Sequence, residues 1–470
     1  MAEHAFSVDG RNVVVVGAAR SGLAAAELLR RRGARVTLTE SRASFDEAGA
    51  LAASGVQVET GGHQSATLAA ADLVVVSPGV PVEQPVFAAA RDRGVEIIGE
   101  LELAWRWLKG RVIAITGTKG KSTTTTLIGR MLTAAGRHVL VGGNIGVPVS
   151  AQVEQSTDRS VHVVEVSSFQ LATTTTFRPW IAVWLNLTDD HLDRHADMKE
   201  YGDAKARIFA NQLPSDFAVV NADDPAVARY SHQTFATRVW YSLSRTFAEG
   251  YGVSDGWIGR KAPSAFERLV PVTSVRLPGE HMLGNVVAAT AAANLAGAGA
   301  GPLEQAVRGF TGLEHVMEPV DAIGKVRFVN DSKATNVGAA RKSIESFDAG
   351  VVAIIGGRYK GGDFGELKQA LAGRGRGVVA IGDAAPQVEA AMAGGPAVVR
   401  ASSMAEAVAR AYDLVGHEGV VLLAPACASF DWFRDYADRG RSFKEEVTRL
   451  KARMDSVLGP RTQDEKLRTD

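Results

Sequence analysis

The chain has 470 residues, 46% of them hydrophobic and 22% charged, and its 52 basic residues are balanced by 52 acidic ones. That length calls for about three domains, the composition is ordinary for a soluble globular protein, and the absence of net charge gives no reason to expect nucleic-acid or membrane binding. The single cysteine, Cys427, excludes an internal disulfide and suits a reducing compartment. The N-terminus shows no basic stretch leading into an apolar core, and no apolar run is long enough to span a bilayer. A cytoplasmic protein with no membrane insertion is expected.

Residues 12 to 40 read as a βαβ unit: strand Val13 to Val16, turn Gly17-Ala-Ala-Arg-Ser-Gly22, helix Leu23 to Arg32, a stop at Gly33, and strand Ala34 to Thr39 followed by Glu40. The pattern is close to a dinucleotide fingerprint, with Ala19 where the middle glycine belongs. NAD(P), another nucleotide or phosphate ligand, and a purely structural turn all remain open on this pattern. Strands follow at Leu73 to Val76, ending in Ser77-Pro-Gly-Val-Pro81, and near Val95 to Ile98. Glu100 to Lys109 reads as a connecting segment.

The strand Arg111 to Thr116 runs into Gly117-Thr-Lys-Gly-Lys-Ser122 and then a helix from Ser122 to Ala135. Such a turn presents backbone N–H groups and a helix N-terminus to phosphates, with Lys121 able to reach the terminal phosphates and Ser122 able to ligate Mg²⁺. Ile115 stands where the general pattern places its first glycine, so this is a shorter variant. Next come strand Arg137 to Val141, the turn Gly142 to Gly146, and strand Val161 to Val166 with Glu165 near its end, suited to a Mg²⁺ ligand or merely solvated. After strand Trp180 to Leu185, residues Asp189, Asp190, His191, Asp193 and His195 crowd oxygen and imidazole donors together. Either a metal-assisted site or a capping loop fits them. In the helix Lys199 to Phe209, periodicity alone makes Lys205 and Arg207 surface charges.

Residues 245 to 275 read as irregular, His281 to Leu295 as a helix, and Gly297 to Gly301 as a loop, with a boundary near Gly312. The last third alternates strand and helix again: strands at Lys325 to Val329, Val351 to Ile355, Val378 to Ile381 and Val420 to Leu423 each end in a polar turn. This predicts a doubly wound parallel sheet whose turns share one crevice. Cys427 reads as buried filler. The tail Gly459 to Asp470 reads as disordered.

Taken in order, Thr116-Gly-Thr-Lys-Gly-Lys-Ser122, Gly143-Asn-Ile-Gly146, Glu165-Val-Ser-Ser-Phe-Gln170 and Asp190-His-Leu-Asp193 resemble the Mur ligase superfamily over nearly the whole chain. Asn330-Asp-Ser-Lys-Ala-Thr-Asn336, Gly356 to Phe364 and Pro425-Ala-Cys-Ala-Ser429 resemble its D-glutamate-adding branch. The resemblance implies an α/β protein of three domains. They are a Rossmann-like UDP-substrate domain over 1–99, a P-loop-type ATPase domain over 100–312, and a doubly wound amino-acid domain over 313–470.

It further implies an ATP-dependent ligase joining D-glutamate to UDP-N-acetylmuramoyl-L-alanine through an acyl phosphate, acting as a monomer in peptidoglycan synthesis. Lys121, Glu165, His191 and Lys205 would be catalytic, and ATP would meet Gly117, Thr118, Lys119, Gly120, Lys121, Ser122, Thr123, Asn285, Asp331 and Lys333. Two Mg²⁺ sites would use Ser122, Glu165, His191 and Lys205, the last carbamylated, which reverses its reading as a surface charge. Ser21, Glu40, Ser41, Arg42, Ser77 and Asn144 would hold the UDP substrate, and Lys360, Ser429 and Tyr436 the D-glutamate.

Two departures stand out. His315-Val-Met-Glu318 lacks a phosphate-directed arginine at Val316, which lowers turnover unless Arg358 or Lys360 compensates, and Met282 replaces an asparagine beside the adenine. The Rossmann-like first domain disfavours a folylpolyglutamate-type ligase. A nicotinamide dehydrogenase would leave the phosphate loop unused, and a nucleotide-switch binding protein would not need three ligand crevices.

Overall fold

The apolar run Val13 to Val16 is buried on both faces, as a strand inside a helix-covered parallel sheet must be. It forms β1 (Asn12–Val16), and with β2 (Arg35–Glu40), β3 (Gln57–Thr60), β4 (Leu73–Val76) and β5 (Glu96–Gly99) it makes a parallel sheet of order β3-β2-β1-β4-β5. The computed structural model describes residues 6–458 except 190–193, 246–247, 277–278 and 360. The predicted Gly459 to Asp470 tail therefore lies outside the described residues, as do Asp190, His191, Asp193 and Lys360. The chain divides into two compact units, Met1–Phe310 and Thr311–Asp470.

The first unit also contains a nine-stranded sheet built on β6 (Arg111–Thr116), β7 (His138–Gly143), β8 (Ser160–Glu165), β9 (Ile181–Trp184), β10 (Phe217–Asn221), β11 (Thr237–Tyr241), β12 (Gly250–Ser254), β13 (Trp257–Ala262) and β14 (Ala265–Pro271). Its order is β14-β13-β12-β11-β10-β9-β6-β8-β7. From β7 to β12 neighbouring strands are parallel, whereas β12, β13 and β14 form an antiparallel meander. That meander corrects the irregular reading of residues 245 to 275. Its strands are short and part-exposed, so no apolar run marks them. A second correction concerns Gly297 to Gly301, because a helix already starts at Ala300 and runs to Arg308.

Glu100 to Lys109 is no loose connection. Glu100–Trp105 is a helix whose Glu100 and Glu102 are buried. Glu102 accepts hydrogen bonds from the backbone N–H groups of Thr175 (3.0 Å), Thr176 (3.0 Å) and Phe177 (3.0 Å), from both threonine hydroxyls, and from Arg106 Nε (3.1 Å). Burial pushes its carboxyl pKa up, but the bonds from Thr176 and Thr175 outweigh burial and hold it below the ordinary carboxylate value. This anchors the helix to the turn that follows Ser168–Ala172.

In the second unit, β15 (Glu318–Ile323), β16 (Lys325–Asn330), β17 (Val351–Gly356), β18 (Gly375–Ile381), β19 (Val398–Arg400) and β20 (Glu418–Leu423) form a sheet of order β15-β16-β20-β17-β18-β19. It is parallel except for the edge strand β15, which pairs antiparallel with β16. Cys427 is buried in its core, in keeping with its reading as filler.

Candidate functional site

In the nine-stranded sheet, β6 lies between β8 and β9, and the glycine loop leaves its carboxyl end. Gly117 (φ +150°) and Gly120 (φ +81°) adopt conformations that disfavour other residues, and a Cβ on Gly120 would stand 2.2 Å from Asn285 Oδ1. Asn186 braces the loop, its Oδ1 accepting from the N–H groups of Thr118 (3.0 Å) and Lys119 (2.8 Å) and its Nδ2 donating to Lys119 O (3.0 Å). Nothing in the local pattern marked Asn186 for that task, since its partners are far away in sequence. Lys121 starts the helix Lys121–Ala134, whose first residues include Ser122 and Thr123, and its Nζ donates to Gly117 O and Thr118 O, both at 2.9 Å.

Glu165, the last residue of β8, joins the loop to the next turn. Ser122 Oγ donates to its Oε2 (2.7 Å) and Asn144 Nδ2 to its Oε1 (2.8 Å). Lys205 is 1% exposed, its Nζ donating to Gly117 O (2.9 Å) and lying 4.5 Å from the Tyr201 ring centre. Helical periodicity alone had made it a surface charge, but the side of the helix Met198–Ala206 that carries Lys205 faces the phosphate loop. Lys121, Ser122, Asn144, Glu165, Lys205 and Asn285 thus converge on one loop, while His191 lies outside the described residues.

Beside the loop is a cavity of about 730 Å³ lined by Lys119, Asn186, Asp223, Tyr241, His281 and Asn285, among others. Asn285 is buried, and its Nδ2 lies 3.7 Å from Met282 Sδ.

Among the described residues no group of three or more His, Cys, Asp or Glu side chains forms a metal cage. The donors present are the hydroxyl of Ser122 and the carboxylate of Glu165. They fit a Mg²⁺ ion, a hard cation that takes few protein oxygens and fills its shell with phosphate oxygens and water.

In the first sheet, a Cβ on Gly22 would stand 1.8 Å from Gly17 O, which makes glycine obligatory there, and Ser77 Oγ donates to Gly17 O (3.0 Å). Ser21 is half-buried in the helix Arg20–Arg31. Glu40 accepts from Ala18 N–H (2.7 Å), Ser41 Oγ (3.0 Å) and Arg42 N–H (3.0 Å) and pairs with the Arg42 guanidinium. Burial raises its pKa, yet the bonds from Arg42, Ala18 and Ser41 outweigh it and bring the carboxyl down to about 2.

In the second unit, the turn after β16 carries Asp331 and Lys333. Asp331 accepts from Met317 N–H (3.1 Å) and from Ser343 Oγ, and burial raises its carboxyl pKa against those bonds and the charge of Lys333. The Met317 bond helps hold a loop in which His315 (φ +64°) and Met317 (φ +43°) flank the half-buried Val316. Ser429 is buried after β20, and Tyr436 opens the helix Tyr436–Leu458, its carbonyl accepting from Ser332 Oγ (2.7 Å). The buried Arg439 went unnoticed in the sequence. It donates to Ser332 Oγ (2.9 Å), Ser332 O (2.9 Å) and Cys427 O (3.1 Å), tying two of these turns together. Lys360 lies outside the described residues.

A glycine loop braced by Asn186 after β9, with a serine–glutamate pair at its rim, is a site for the phosphates of a nucleotide, in a chain that carries three α/β sheets in succession. Family models match in the same order: the Mur ligase MurD-like N-terminal domain at residues 11–99, the Mur ligase middle domain at 115–293, and the Mur ligase glutamate ligase domain at 317–427. The chain belongs to the Mur ligase family. It is an ATP-dependent, amide-bond-forming ligase of a family that uses ATP and Mg²⁺. It is 47% identical over 94% of its length to the UDP-N-acetylmuramoylalanine–D-glutamate ligase of Acidobacterium capsulatum, covering 97% of that protein. With the protein of the same name from Geobacter metallireducens it shares 45% over 95% of its length and 99% of the relative's. The UDP-N-acetylmuramate–alanine ligase of Thermotoga maritima shares its fold, with a TM-score of 0.56 at 18% identity over 94% of this chain and 100% of that one. None of the described helices is long and apolar enough to cross a membrane.

Proposed function

We propose that the chain joins D-glutamate to UDP-N-acetylmuramoyl-L-alanine at the expense of ATP, as a monomer in the cytoplasm, in peptidoglycan synthesis. The reading is carried by Glu165, whose two oxygens tie Ser122 of the phosphate loop to Asn144 of the neighbouring turn. In this reading Ser122 serves the triphosphate and Asn144 the acyl end, and their shared carboxylate supports it. The names of the relatives above support the choice of substrates.

In this reading residues 1–99 hold the uridine nucleotide through Ser21, Glu40, Ser41, Arg42 and Ser77, with Asn144 beside the acyl end. Residues 100–312 hold ATP through the loop from Gly117 to Thr123 and through Asn285, and residues 313–470 supply Asp331 and Lys333 to ATP and Lys360, Ser429 and Tyr436 to D-glutamate.

A substrate carboxylate oxygen attacks the γ-phosphorus of ATP and ADP leaves, giving an acyl phosphate. The D-glutamate nitrogen then attacks the acyl carbon, loses a proton, and the tetrahedral intermediate expels phosphate. Both reactants of the first step are anions, so the site acts by positioning and charge neutralisation. Lys121 offsets phosphate charge and the loop N–H groups orient the triphosphate. Ser122 and Glu165 would hold one Mg²⁺, with His191 and Lys205, as its carbamate, at a second. Bound there, Mg²⁺ supplies positive charge to the phosphate oxygens. The buried amine of Lys205 suits carbamate formation, in which Nζ keeps one hydrogen to donate to Gly117 O. Phosphate release measured with each substrate omitted in turn tests the reading. Release should require both UDP-N-acetylmuramoyl-L-alanine and D-glutamate, and equal release with L-glutamate would overturn it.

A further inference from the structure

The turn Gly61-Gly62-His63 follows β3 and crosses the carboxyl edge of the first sheet. Gly61 N–H donates to Arg42 O (2.9 Å) and Gly62 N–H to Glu40 O (3.2 Å). The His63 ring is half-buried, and its Nδ1 lies 2.9 Å from Thr39 Oγ1. Thr39 is buried, and the same hydroxyl stands 3.1 Å from Gly62 O. A hydroxyl has one proton to give and a carbonyl can only accept. All three groups are satisfied when Thr39 donates to Gly62 O and His63 Nδ1–H donates to Thr39 Oγ1. Nε2 is then the lone-pair nitrogen, and it meets no hydrogen-bond partner among the described residues. Burial lowers the imidazole pKa against the opposing pull of Glu40, which favours the neutral form of the ring.

A second observation gives this acceptor a purpose. Glu40, the acidic group closing β2, already receives Ala18 N–H, Ser41 Oγ, Arg42 N–H and the Arg42 guanidinium. A carboxylate offers about four lone-pair positions, so a base bound at this edge needs another acceptor for an imide hydrogen. Of the pyrimidine bases of RNA, uracil carries a hydrogen on N3, whereas cytosine has a lone pair there.

We propose that His63 Nε2 accepts the N3–H of uracil when a uridine nucleotide binds at the carboxyl edge of the first sheet, making His63 a base-specificity residue. The inference rests on the reading that this sheet holds the uridine nucleotide. Thr39 fixes the tautomer, and the two glycines bring the ring to the sheet edge. Cytosine N3 would set its lone pair against that of Nε2, and an N3-methyl group would block the approach and offer no hydrogen.

Calorimetric titration of the full-length protein with UDP, CDP and N3-methyl-UDP tests it. The unaltered protein should bind UDP about tenfold or more tightly than either analogue. His63→Asn keeps a donor for Thr39 in place of Nδ1–H but removes the acceptor, so it should bind UDP and N3-methyl-UDP alike. His63→Gln, which can place an oxygen where Nε2 stood, should keep most of the preference. If His63→Asn discriminates as the unaltered protein does, the ring is only structural and the inference fails. If UDP binds normally but N3-methyl-UDP binds equally well to the unaltered protein, the inference fails without touching the domain reading. No binding of UDP to the unaltered protein would overturn both.

Discussion

Replacing Glu102 by glutamine tests whether the short helix Glu100–Trp105 is held by its charge. Six donors converge on the two Glu102 oxygens: the N–H groups of Thr175, Thr176 and Phe177, the hydroxyls of Thr175 and Thr176, and Arg106 Nε. An amide replaces one acceptor oxygen with a donor. With NH₂ in place of Oε2, the N–H groups of Thr175 and Phe177, each 3.0 Å from that atom, lose their acceptor. An unmet buried donor costs ~1–3 kcal/mol; the Phe177 bond is buried and the Thr175 bond part-buried, so the loss should be about 3 kcal/mol, a large share of the stability of an ordinary domain. By thermal unfolding at pH 7 the transition should fall by roughly 5 °C.

The pH dependence has a definite sign. The folded-state pKa of Glu102 is lowered, so its contribution is complete above the unfolded carboxylate value and is lost as pH falls through the folded one. Glutamine does not titrate, so the gap between the two proteins should narrow as the pH is taken down through that range. A transition within about 1 °C of the unaltered protein at pH 7, or a gap that stays constant with pH, would refute the reasoning.

Lys205→Ala should abolish phosphate release, and added short-chain carboxylic acids should restore part of it by supplying the missing anion. Unaffected turnover would remove the carbamate from the mechanism. Glu165→Gln keeps the shape but removes the charge paired with Ser122 and Asn144, so the Mg²⁺ concentration for half-maximal activity should rise about tenfold or more. An unchanged Mg²⁺ titration would exclude Glu165 as a metal ligand. Val316→Arg restores a cation that the family resemblance places near the phosphates, and kcat should increase about tenfold. No gain would mean that Val316 is already compensated or that its loop, strained at His315 and Met317, directs the side chain elsewhere.

The phosphate loop and many apolar strands were legible in the sequence because their determinants are local, although the buried apolar strand β10 was passed over. Gly117 and Gly120 need left-handed or crowded backbone, and β1, β17 and β20 are runs of aliphatic residues buried on both faces. What was not legible depends on partners far along the chain. Lys205 counts as polar in any periodicity, yet Gly117 O takes its Nζ across 88 positions. Asn186 braces a loop 67 positions earlier, and Arg439 reaches Ser332 across 107. The meander from β12 to β14 lies at a sheet edge with little apolar surface to announce it. Glu100 and Glu102 mark a helix buried by its contacts, in a segment whose sequence read only as a connection.

The central claim is that a substrate carboxylate, and not water, attacks the γ-phosphorus of ATP. It is tested by supplying UDP-N-acetylmuramoyl-L-alanine with ¹⁸O in its terminal carboxylate, in unlabelled water with ATP and D-glutamate, and analysing the released phosphate by mass spectrometry. An acyl phosphate transfers one carboxylate oxygen to the phosphate that leaves, so each phosphate should carry one ¹⁸O. Unlabelled phosphate formed in step with the amide product would contradict the account.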